Sequence, residues 1–451
     1  MAPHLDSSEL RKRIDDGLPG VRRDLEALVR IPSVSALSAH AEDVRRSAEA
    51  TADLFRAEGF DVEILTVEGG APAVVATKPA PEGAPTVLLY AHHDVQPVGD
   101  PADWDTEPFE PTERGDRLYG RGAADDKAGI AAHLAAVRAF GDDLPVGVTV
   151  LVEGEEEIGS PTLSRFLDEH RDRLQADVMV IADSANWDIG VPALTTSLRG
   201  LVDCVVEVRT LEHGVHSGMW GGIVPDALTA TARLLASLHD DEGNVAVEGL
   251  LSTEAADVDY PEDRIRAEAG VVDGVHLFGT GSAVERLWTK PALAVIGIDA
   301  TRVEDASNTL VPAVRAKISV RVAPGDTTEN AMACLTRHLE EHAPWGARVT
   351  VQEGDRGEPT RIEAVGPAYD AARAAFEEAW DGTAPVDMGV GGSIPFIAAF
   401  NEAFPDAAVL VTGVEDPDTR AHGANEGLHL AEFERVCLAE ALLLRNLVTR
   451  P

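Results

Sequence analysis

The sequence predicts an α/β fold in which helices flank a mixed sheet. Short β-branched runs alternate with helical periodicity between residues 61 and 182, and the segment 86–90 is apolar without a break. An unbroken apolar strand is typical of a sheet that is covered on both faces. The alternation of strand with helix indicates that this sheet is largely parallel.

The predicted elements follow in order along the chain. Apolar residues at helical spacing between Leu10 and Leu28 predict a first helix, and a second is expected over 41–59, where Gly59 is typical of a helix C-terminus. Further strands are expected at 61–67, 73–77, 86–90, 146–152 and 177–182, and helices at 126–140 and 161–170. The same pattern resumes late in the chain, with a helix at 368–380, a strand at 408–412 and a helix at 431–446.

A second pattern begins near residue 201. Val202, Cys204, Val206 and Val208 occupy every second position, which predicts a strand with one buried face. Helices at 225–238 and 327–342 and strands at 292–298, 313–322 and 348–352 complete the order β-α-β-β-α-β. This order is typical of a ferredoxin-like α+β domain. We therefore expect an inserted domain over 200–360 between the two parts of a larger domain, 1–199 and 361–451, with an irregular surface segment at 240–280.

Charge and cysteine usage narrow the class of protein. Acidic residues outnumber basic ones by 78 to 38, for a formal net charge of −40, so neither nucleic acid nor a membrane surface is expected as a partner. Three widely separated cysteines without CxxC spacing argue against both a disulfide framework and a thiolate zinc site. The first 30 residues lack the apolar core of a signal peptide. We expect a cytoplasmic protein.

Residues with metal-binding or acid–base chemistry follow the expected strands. His92 and Asp94 come after the strand at 86–90, and Asp125 and Asp126 stand at the start of the helix at 126–140. When one ring nitrogen of an imidazole binds a metal, a carboxylate that accepts the N–H of the other nitrogen orients the ring. His92 and Asp94 are therefore compatible with a metal site. The simpler alternatives are a loop histidine and a helix-capping aspartate.

Further candidates occupy later strand ends. Four glutamates lie within Glu153–Glu157, where a plain solvated loop is the alternative, and Asp183 follows the strand at 177–182. His422 lies in the segment Arg420-Ala-His-Gly-Ala-Asn-Glu426. Ligands collect beyond the carboxyl ends of strands in such sheets. Together with His92, Asp125 and a glutamate, these residues supply two imidazoles and three carboxylates, a set that suits two zinc, cobalt or manganese ions.

The motifs His92-x-Asp94, Gly120-Arg-Gly-x-x-Asp125, Glu156-Glu157-x-Gly-Ser160, Asp183 and His422 resemble those of the zinc aminopeptidase-like superfamily in order and approximate spacing. Within it, the sequence is similar to the dinuclear metallopeptidase family of carnosinase and cytosolic dipeptidase, glutamate carboxypeptidase, aminoacylase, acetylornithine deacetylase and succinyl-diaminopimelate desuccinylase. The likeness extends over nearly the whole chain. It implies a zinc-exopeptidase-like mixed sheet and makes the inserted domain a lid and dimerisation domain.

The resemblance also implies roles at the metal site. His92 and Asp183 would bind one divalent cation, Glu157 and His422 would bind the other, and Asp125 would bridge them, with zinc favoured over cobalt or manganese. Asp94 would orient His92, and Glu156 would be the general base, although Glu155 adds an acid that makes the alignment of the base ambiguous. The family often has a cis peptide bond after the bridging aspartate, which implies one between Asp125 and Asp126.

In the inserted domain, Gly214-Val-His-Ser-Gly218 resembles the family's lid motif, whose histidine, here His216, stabilises the oxyanion in a neighbouring subunit. Asn308 and Arg321 match positions that hold the carboxylate end of the substrate, and Gly391-Gly-Ser-Ile-Pro395, with Gly392 and Ser393, matches a loop that cradles it. The chain departs from close dipeptidases at Gly389 and Val390, where charged residues are usual.

The resemblance implies a homodimeric metallopeptidase, an exopeptidase of the dipeptidase or carboxypeptidase type. A water activated by two metal ions would attack the amide bond of a dipeptide or short peptide. Two alternatives stay open at this point: an N-acyl amino acid deacylase or desuccinylase that uses the same activation of water, and a non-catalytic homologue that binds metal.

Overall fold

The computed structural model describes residues 5–254, 258–392 and 395–448. Its helices are α1 (Ser7–Val29), α2 (Ala41–Ala57), α3 (Lys127–Phe140), α4 (Leu163–Leu174), α5 (Ser217–Trp220), α6 (Ala227–Ala236), α7 (Glu262–Glu268), α8 (Thr328–Glu341), α9 (Pro367–Ala379), α10 (Pro395–Ala403) and α11 (Leu430–Asn446). The early strands are β1 (Asp61–Leu65), β2 (Ala73–Lys78), β3 (Thr86–His92), β4 (Thr112–Arg114), β5 (Arg117–Tyr119), β6 (Gly147–Glu153), β7 (Val178–Ile181), β8 (Ala193–Leu198) and β9 (Gly200–Arg209). The later strands are β10 (Val215–His216), β11 (Ala292–Asp299), β12 (Thr309–Leu310), β13 (Ala313–Val322), β14 (Arg348–Gly357), β15 (Thr360–Arg361), β16 (Val386–Val390), β17 (Ala408–Val411) and β18 (Gly427–His429).

The described residues form two compact units. The first is drawn from 1–196, 362–388 and 395–451, and the second from 197–361 and 389–394. Residues 389–392 join the second unit because the Arg199 backbone N–H donates a hydrogen bond to the carbonyl oxygen of Val390. In the part of the chain described, no helix has both the length and the apolar character needed to cross a bilayer.

The first unit is built on a mixed sheet with the strand order β1-β2-β6-β3-β7-β17-β8. Strands β6, β3, β7 and β17 are parallel, whereas β1, β2 and β8 pair antiparallel. Helices α3, α4 and α9 pack against β3, β6 and β17. This architecture confirms the predicted α/β fold with a mixed sheet.

Burial explains why β3 lies at the centre of this sheet. Residues 87–92 are all buried, as the unbroken apolar run predicts, and α3 is buried along nearly its whole length. Because β3, β6 and β7 are parallel, their carboxyl ends meet at one edge of the sheet. His92 is the last residue of β3, Glu153 is the last of β6, and Asp183 follows β7 by two residues.

The second unit contains an antiparallel sheet with the order β11-β13-β9-β14. Helices α6 and α8 pack against β9 and β13, which is the predicted ferredoxin-like arrangement. Val202, Cys204, Val206 and Val208 are fully buried, so the period-two pattern does mark the core face of β9.

The structure contains elements that the sequence analysis did not predict, among them β8 and α10, and two segments of the second unit differ from their prediction. The segment 240–280, expected to be irregular, includes the short helix α7, whose Arg264 and Arg266 pair with glutamates four residues away. Strand β14 continues to Gly357, five residues beyond the predicted end, because it goes on pairing with β9 across an irregularity between Glu353 and Arg356.

Candidate metal centre

The candidate metal centre lies in the first unit, at the edge where its parallel strands end. His92 closes β3, and Glu156 and Glu157 form a short 3-10 turn just after β6. Asp183 follows β7, and Asp125 stands immediately before Asp126, the N-cap of α3. His422 comes from the loop before β18 and has a positive φ of 62°. Six side chains from five segments thus reach one place.

Their ligand atoms converge on Asp125. Nε2 of His92 lies 3.1 Å from Oδ1 of Asp125, and Nε2 of His422 lies 3.0 Å from its Oδ2. Nε2 of His422 is also 3.2 Å from Oε2 of Glu157. Two groups, His92 with Asp125 and Asp183, and Asp125 with Glu157 and His422, each place three ligand atoms within 4.8 Å of one another. Asp125 belongs to both groups.

The electrostatics of the cluster are those of crowded carboxylates. Burial raises the pKa of Asp183 to about 7, with Asp125 and Glu157 adding repulsion against the pull of His92. Burial also acts to raise the pKa of Asp125, but hydrogen bonds from His422 and His92 outweigh it and hold the pKa well below its ordinary value. Hydrogen bonds to Asp125 and Glu157 raise the pKa of His422 to about 11. The cluster therefore favours added positive charge.

Two divalent cations fit this donor set. Among the residues that the structure describes, no lysine or arginine forms an ion pair with Asp125, Glu156, Glu157 or Asp183. Within the described part of the chain, the cationic partners of these carboxylates are imidazoles, which are themselves metal ligands when neutral. Each three-residue group offers imidazole nitrogen and carboxylate oxygen, the donors that zinc, cobalt and manganese accept.

Asp94 contacts both the His92 ring and the 3-10 turn that contains Glu156 and Glu157. Nδ1 of His92 lies 3.1 Å from the Asp94 carbonyl oxygen and 3.4 Å from Oδ1 of the same residue, which leaves Nε2 on the side of Asp125. The Asp94 carboxylate accepts hydrogen bonds from the backbone N–H groups of Glu156, at 3.2 Å, and Glu157, at 3.1 Å. The peptide bond between Asp125 and Asp126 is cis, which confirms that expectation.

The glutamates after β6 have different environments. Glu155 accepts hydrogen bonds from Ala71 N, Thr162 N and Thr162 Oγ1, and Glu153 accepts one from the Tyr90 hydroxyl at 2.9 Å. Within the described residues, the Glu156 carboxylate has no hydrogen-bond or ion-pair partner. Burial, reinforced by Asp183, raises the pKa of Glu156 to about 9. Of these acids, Glu156 is thus the one that is both unpartnered and electrostatically coupled to the cluster.

Sequence reasoning missed Glu426, a fully buried residue that holds the loop of Asp125. Its Oε1 accepts hydrogen bonds from Ala124 N and Asp125 N at 2.9 and 3.1 Å. Its Oε2 accepts from Gly122 N at 3.0 Å and from Arg121 Nη1 at 2.7 Å. The sequence does show Glu426 beside Asn425 at the end of the His422 motif, but the spacing of these residues does not indicate a contact with Asp125.

Glu415 is a second buried acid that the sequence did not single out. It lies after β17, and its backbone pairs with Ala185 and Asn186 beside Asp183. Burial, with repulsion from Asp125 and Asp183, raises its pKa well above the ordinary value. Its position after a parallel strand was the signal that could have identified it.

The other predicted site residues lie in the second unit. His216, in β10, is exposed and pairs with Thr309 of β12, while Ser217 N donates to the Asn308 carbonyl oxygen at 2.9 Å. The structure thus brings the His216 and Asn308 segments together. Half-buried Arg321 lies in β13, Gly392 is half-buried in the loop after β16, and Ser393 falls outside the described residues.

A parallel sheet edge that gathers two imidazoles and several buried carboxylates is typical of metal-dependent hydrolases. The sequence model of peptidase family M20/M25/M40 matches residues 88–446. The chain belongs to this family, and it is a hydrolase that acts on peptide bonds.

Two relatives and one solved structure illustrate the similarity. The chain is 35% identical over 430 residues to a cysteinylglycine-S-conjugate dipeptidase of Corynebacterium striatum, covering 94% of each chain. It is 30% identical over 381 residues to the Beta-Ala-His dipeptidase of Homo sapiens, covering 79% of this chain and 74% of that one. The crystal structure of human carnosine dipeptidase 1 matches with a TM-score of 0.80 and 27% identity, over 99% of this chain and 100% of that one.

Proposed function

We propose that this protein hydrolyses the peptide bond of dipeptides, with two divalent metal ions held at the candidate metal centre. The observation that carries the proposal is the pair of three-residue groups that share Asp125. Both curated relatives described above are called dipeptidases, which supports a dipeptide as the substrate over an N-acyl amino acid.

In this proposal His92 and Asp183 hold one cation, Glu157 and His422 hold the other, and Asp125 bridges the two. Zinc suits these donors best, with cobalt or manganese as alternatives. When bound, the two cations lower the pKa of the attacking water and polarise the scissile carbonyl.

Glu156 accepts the proton of the attacking water and returns it to the leaving amine. Its carboxylate is unpartnered within the described part of the chain, so no hydrogen bond has to break before it can take up a proton. The raised pKa of about 9 reflects burial beside Asp183. Bound cations would favour the ionised form of Glu156, which is the form that accepts a proton. Asp94 fixes both this turn and the His92 ring.

We assign residues 1–199 and 361–451 to a catalytic domain and residues 200–360 to a lid and dimerisation domain. Substrate recognition is assigned to the second unit. We assign Asn308 and Arg321 to the substrate carboxylate, because a guanidinium pairs with a carboxylate through two parallel hydrogen bonds. His216 stabilises the oxyanion of a partner subunit. Gly392 and Ser393 belong to the loop that cradles the substrate.

We also infer that the protein is a homodimer and cytoplasmic. The edge strand β11 has β13 as its only neighbour among the described strands, and Ile296 on it is 58% exposed, which favours pairing with a second copy. Sedimentation analysis should give a dimer for the native chain and a monomer for Ile296→Lys. The cytoplasmic assignment is supported by Cys204, Cys334 and Cys437, which are buried and unpaired.

The decisive experiment compares Glu156→Gln with Glu155→Gln. We expect Glu156→Gln to lose turnover of dipeptides while its zinc content stays at two per chain. Glu155→Gln should lower the melting temperature, because Ala71 and Thr162 lose part of their acceptor, yet keep the turnover of the folded protein. Full turnover in Glu156→Gln would overturn the assignment of the base.

A substrate panel tests the reaction itself. We expect kcat/KM to be measurable for dipeptides such as cysteinylglycine or β-alanylhistidine and far lower for N-acetyl amino acids. The reverse order would make the protein a deacylase. A zinc-loaded protein that turns over neither class would indicate a non-catalytic homologue.

A further inference from the structure

The second unit contains a cavity that no catalytic assignment uses. Its volume is about 510 Å³, within the range of about 300–1,000 Å³ that is usual for small-molecule sites. Three cations, Arg199, Arg286 and Lys290, line it together with apolar side chains, and none of the described lining residues is acidic. Such a lining is unexpected in a chain with a net charge of −40.

Arg199 lacks an anionic partner in this cavity. The residue is only 7% exposed, its Nε has no hydrogen-bond partner, and no carboxylate in the described ranges pairs with it. Its Nη1 donates two long hydrogen bonds, to the carbonyl oxygens of Arg286 at 3.3 Å and Lys290 at 3.5 Å. Burial, together with Arg321, lowers the pKa of Arg199 to about 10, so the guanidinium stays charged at neutral pH. A buried charge without a counter-charge is destabilising, and a bound anion would offset this cost.

The other two cations hold the wall of the cavity in place. Nη1 of Arg286 donates to the Phe278 carbonyl oxygen at 3.0 Å, and Nζ of Lys290 donates to that of Thr280 at 2.8 Å. Lys290 also lies 3.8 Å from Glu285, whereas Arg286 has no carboxylate partner among the residues described. Oδ1 of Asn244 accepts from Thr280 N at 2.8 Å. The wall is therefore formed before a ligand arrives.

Most of the remaining lining is apolar, and its other polar residues are His239, Asn244, Ser252 and Thr280. Leu250, Ile265 and Leu277 are half-buried, and Phe278 is 67% exposed although it lines the cavity. Burying such side chains against a ligand stabilises binding by about 25 cal/mol per Å² of apolar surface. The occupant should therefore combine an apolar body with an anionic group.

We propose that this cavity binds an apolar monocarboxylate, with its carboxylate at Arg199 and its hydrocarbon part against Leu250, Ile265, Leu277 and Phe278. A buried guanidinium can hold a planar carboxylate through two parallel hydrogen bonds. All the lining residues belong to the second unit, none of them is a candidate metal ligand, and binding requires no turnover.

Calorimetric titration with decanoate tests the proposal. We expect one saturable site per chain, at least tenfold weaker binding to Arg199→Gln, and similar weakening by Ala283→Phe, which fills the cavity while leaving the charges intact. Arg302→Gln removes an exposed arginine of the same unit and should bind decanoate like the native chain. Asp125→Asn should also bind normally, which excludes decanoate at the metal centre.

Three outcomes would overturn the proposal. They are the absence of saturable decanoate binding to the native chain, native affinity for decanoate in both Arg199→Gln and Ala283→Phe, and a loss of binding in Asp125→Asn alone. Decyl phosphate that binds where decanoate does not would overturn the choice of a carboxylate, and equal binding of 1-decanol would overturn the role of Arg199. Circular dichroism of each variant separates lost binding from lost folding.

Discussion

Replacing Glu426 by glutamine tests whether one buried carboxylate holds the candidate ligand Asp125 in place. The carboxylate accepts four hydrogen bonds, from the backbone N–H groups of Gly122, Ala124 and Asp125 and from the side chain of Arg121. A glutamine keeps one accepting oxygen, so the donors at the other position lose their acceptor. Arg121 also loses its counter-charge while it stays buried.

The expected magnitudes follow from this geometry. Removing one partner of a buried ion pair destabilises a protein by about 3–5 kcal/mol. If the Asp125 backbone then moves by about 1 Å, activity should fall by roughly 100-fold. Urea denaturation measures the free energy of unfolding, steady-state kinetics on a dipeptide give kcat/KM, and zinc titration reports metal affinity. We expect all three quantities to fall in Glu426→Gln.

Glu432→Gln is the matched control. Glu432 is also fully buried and accepts hydrogen bonds from Gly190 N at 3.0 Å, Trp380 Nε1 at 2.9 Å and Arg435 Nη1 at 2.6 Å, none of which belongs to the metal centre. This variant should lose stability but keep kcat/KM and zinc affinity in its folded fraction. If Glu426→Gln behaved in the same way, Glu426 would be a structural residue and the positioning argument would be refuted.

Three further predictions concern assembly, pH and metal. If His216 acts in the partner's site, mixing inactive Glu156→Gln with inactive His216→Ala should restore about a quarter of native activity through random dimers, whereas a role within one chain would restore none. Both ring nitrogens of His133 have acceptors, including Glu440 at 2.8 Å. Burial lowers the pKa of His133, but Glu440 outweighs burial, so the pKa in the folded chain is above its ordinary value. The stability advantage of the native chain over His133→Gln should therefore shrink as the pH rises from below 6.5 through this raised pKa. A stability difference that does not change with pH would contradict the pairing of His133 with Glu440. Dialysis against EDTA should lower the melting temperature, with recovery on adding zinc, because crowded carboxylates repel one another without cations; an unchanged melting temperature would argue against bound metal.

Local sequence pattern was sufficient to place the residues that end strands. A strand buried on both faces requires an uninterrupted apolar run, and the first polar residue after such a run stands at the sheet edge. His92 after β3 and Asp183 after β7 could be assigned to one edge for this reason. Asp125 and His422 were harder to place, because neither ends a strand, and their individual ligand roles came only from the family resemblance of their motifs.

The local sequence pattern could not identify residues whose role depends on contacts with residues far away in the sequence. Glu426 meets Arg121 from 305 positions away, and no local rule says which N–H groups a buried carboxylate will accept. The three glutamates Glu153, Glu155 and Glu156 are likewise indistinguishable as a run of acids. The structure separates them because two accept hydrogen bonds from neighbouring segments and one does not.

The sequence by itself determined the two kinds of sheet, the main strands of each and a set of candidate residues with metal-binding chemistry. These properties follow from side-chain periodicity and from the chemistry of imidazole and carboxylate, both of which are local. The tertiary structure alone decided that Glu426 holds the loop of Asp125 and that Arg199 is buried in a cavity with no carboxylate among its described lining residues. Each of these depends on segments far apart in sequence, which only the packing of the folded chain brings together.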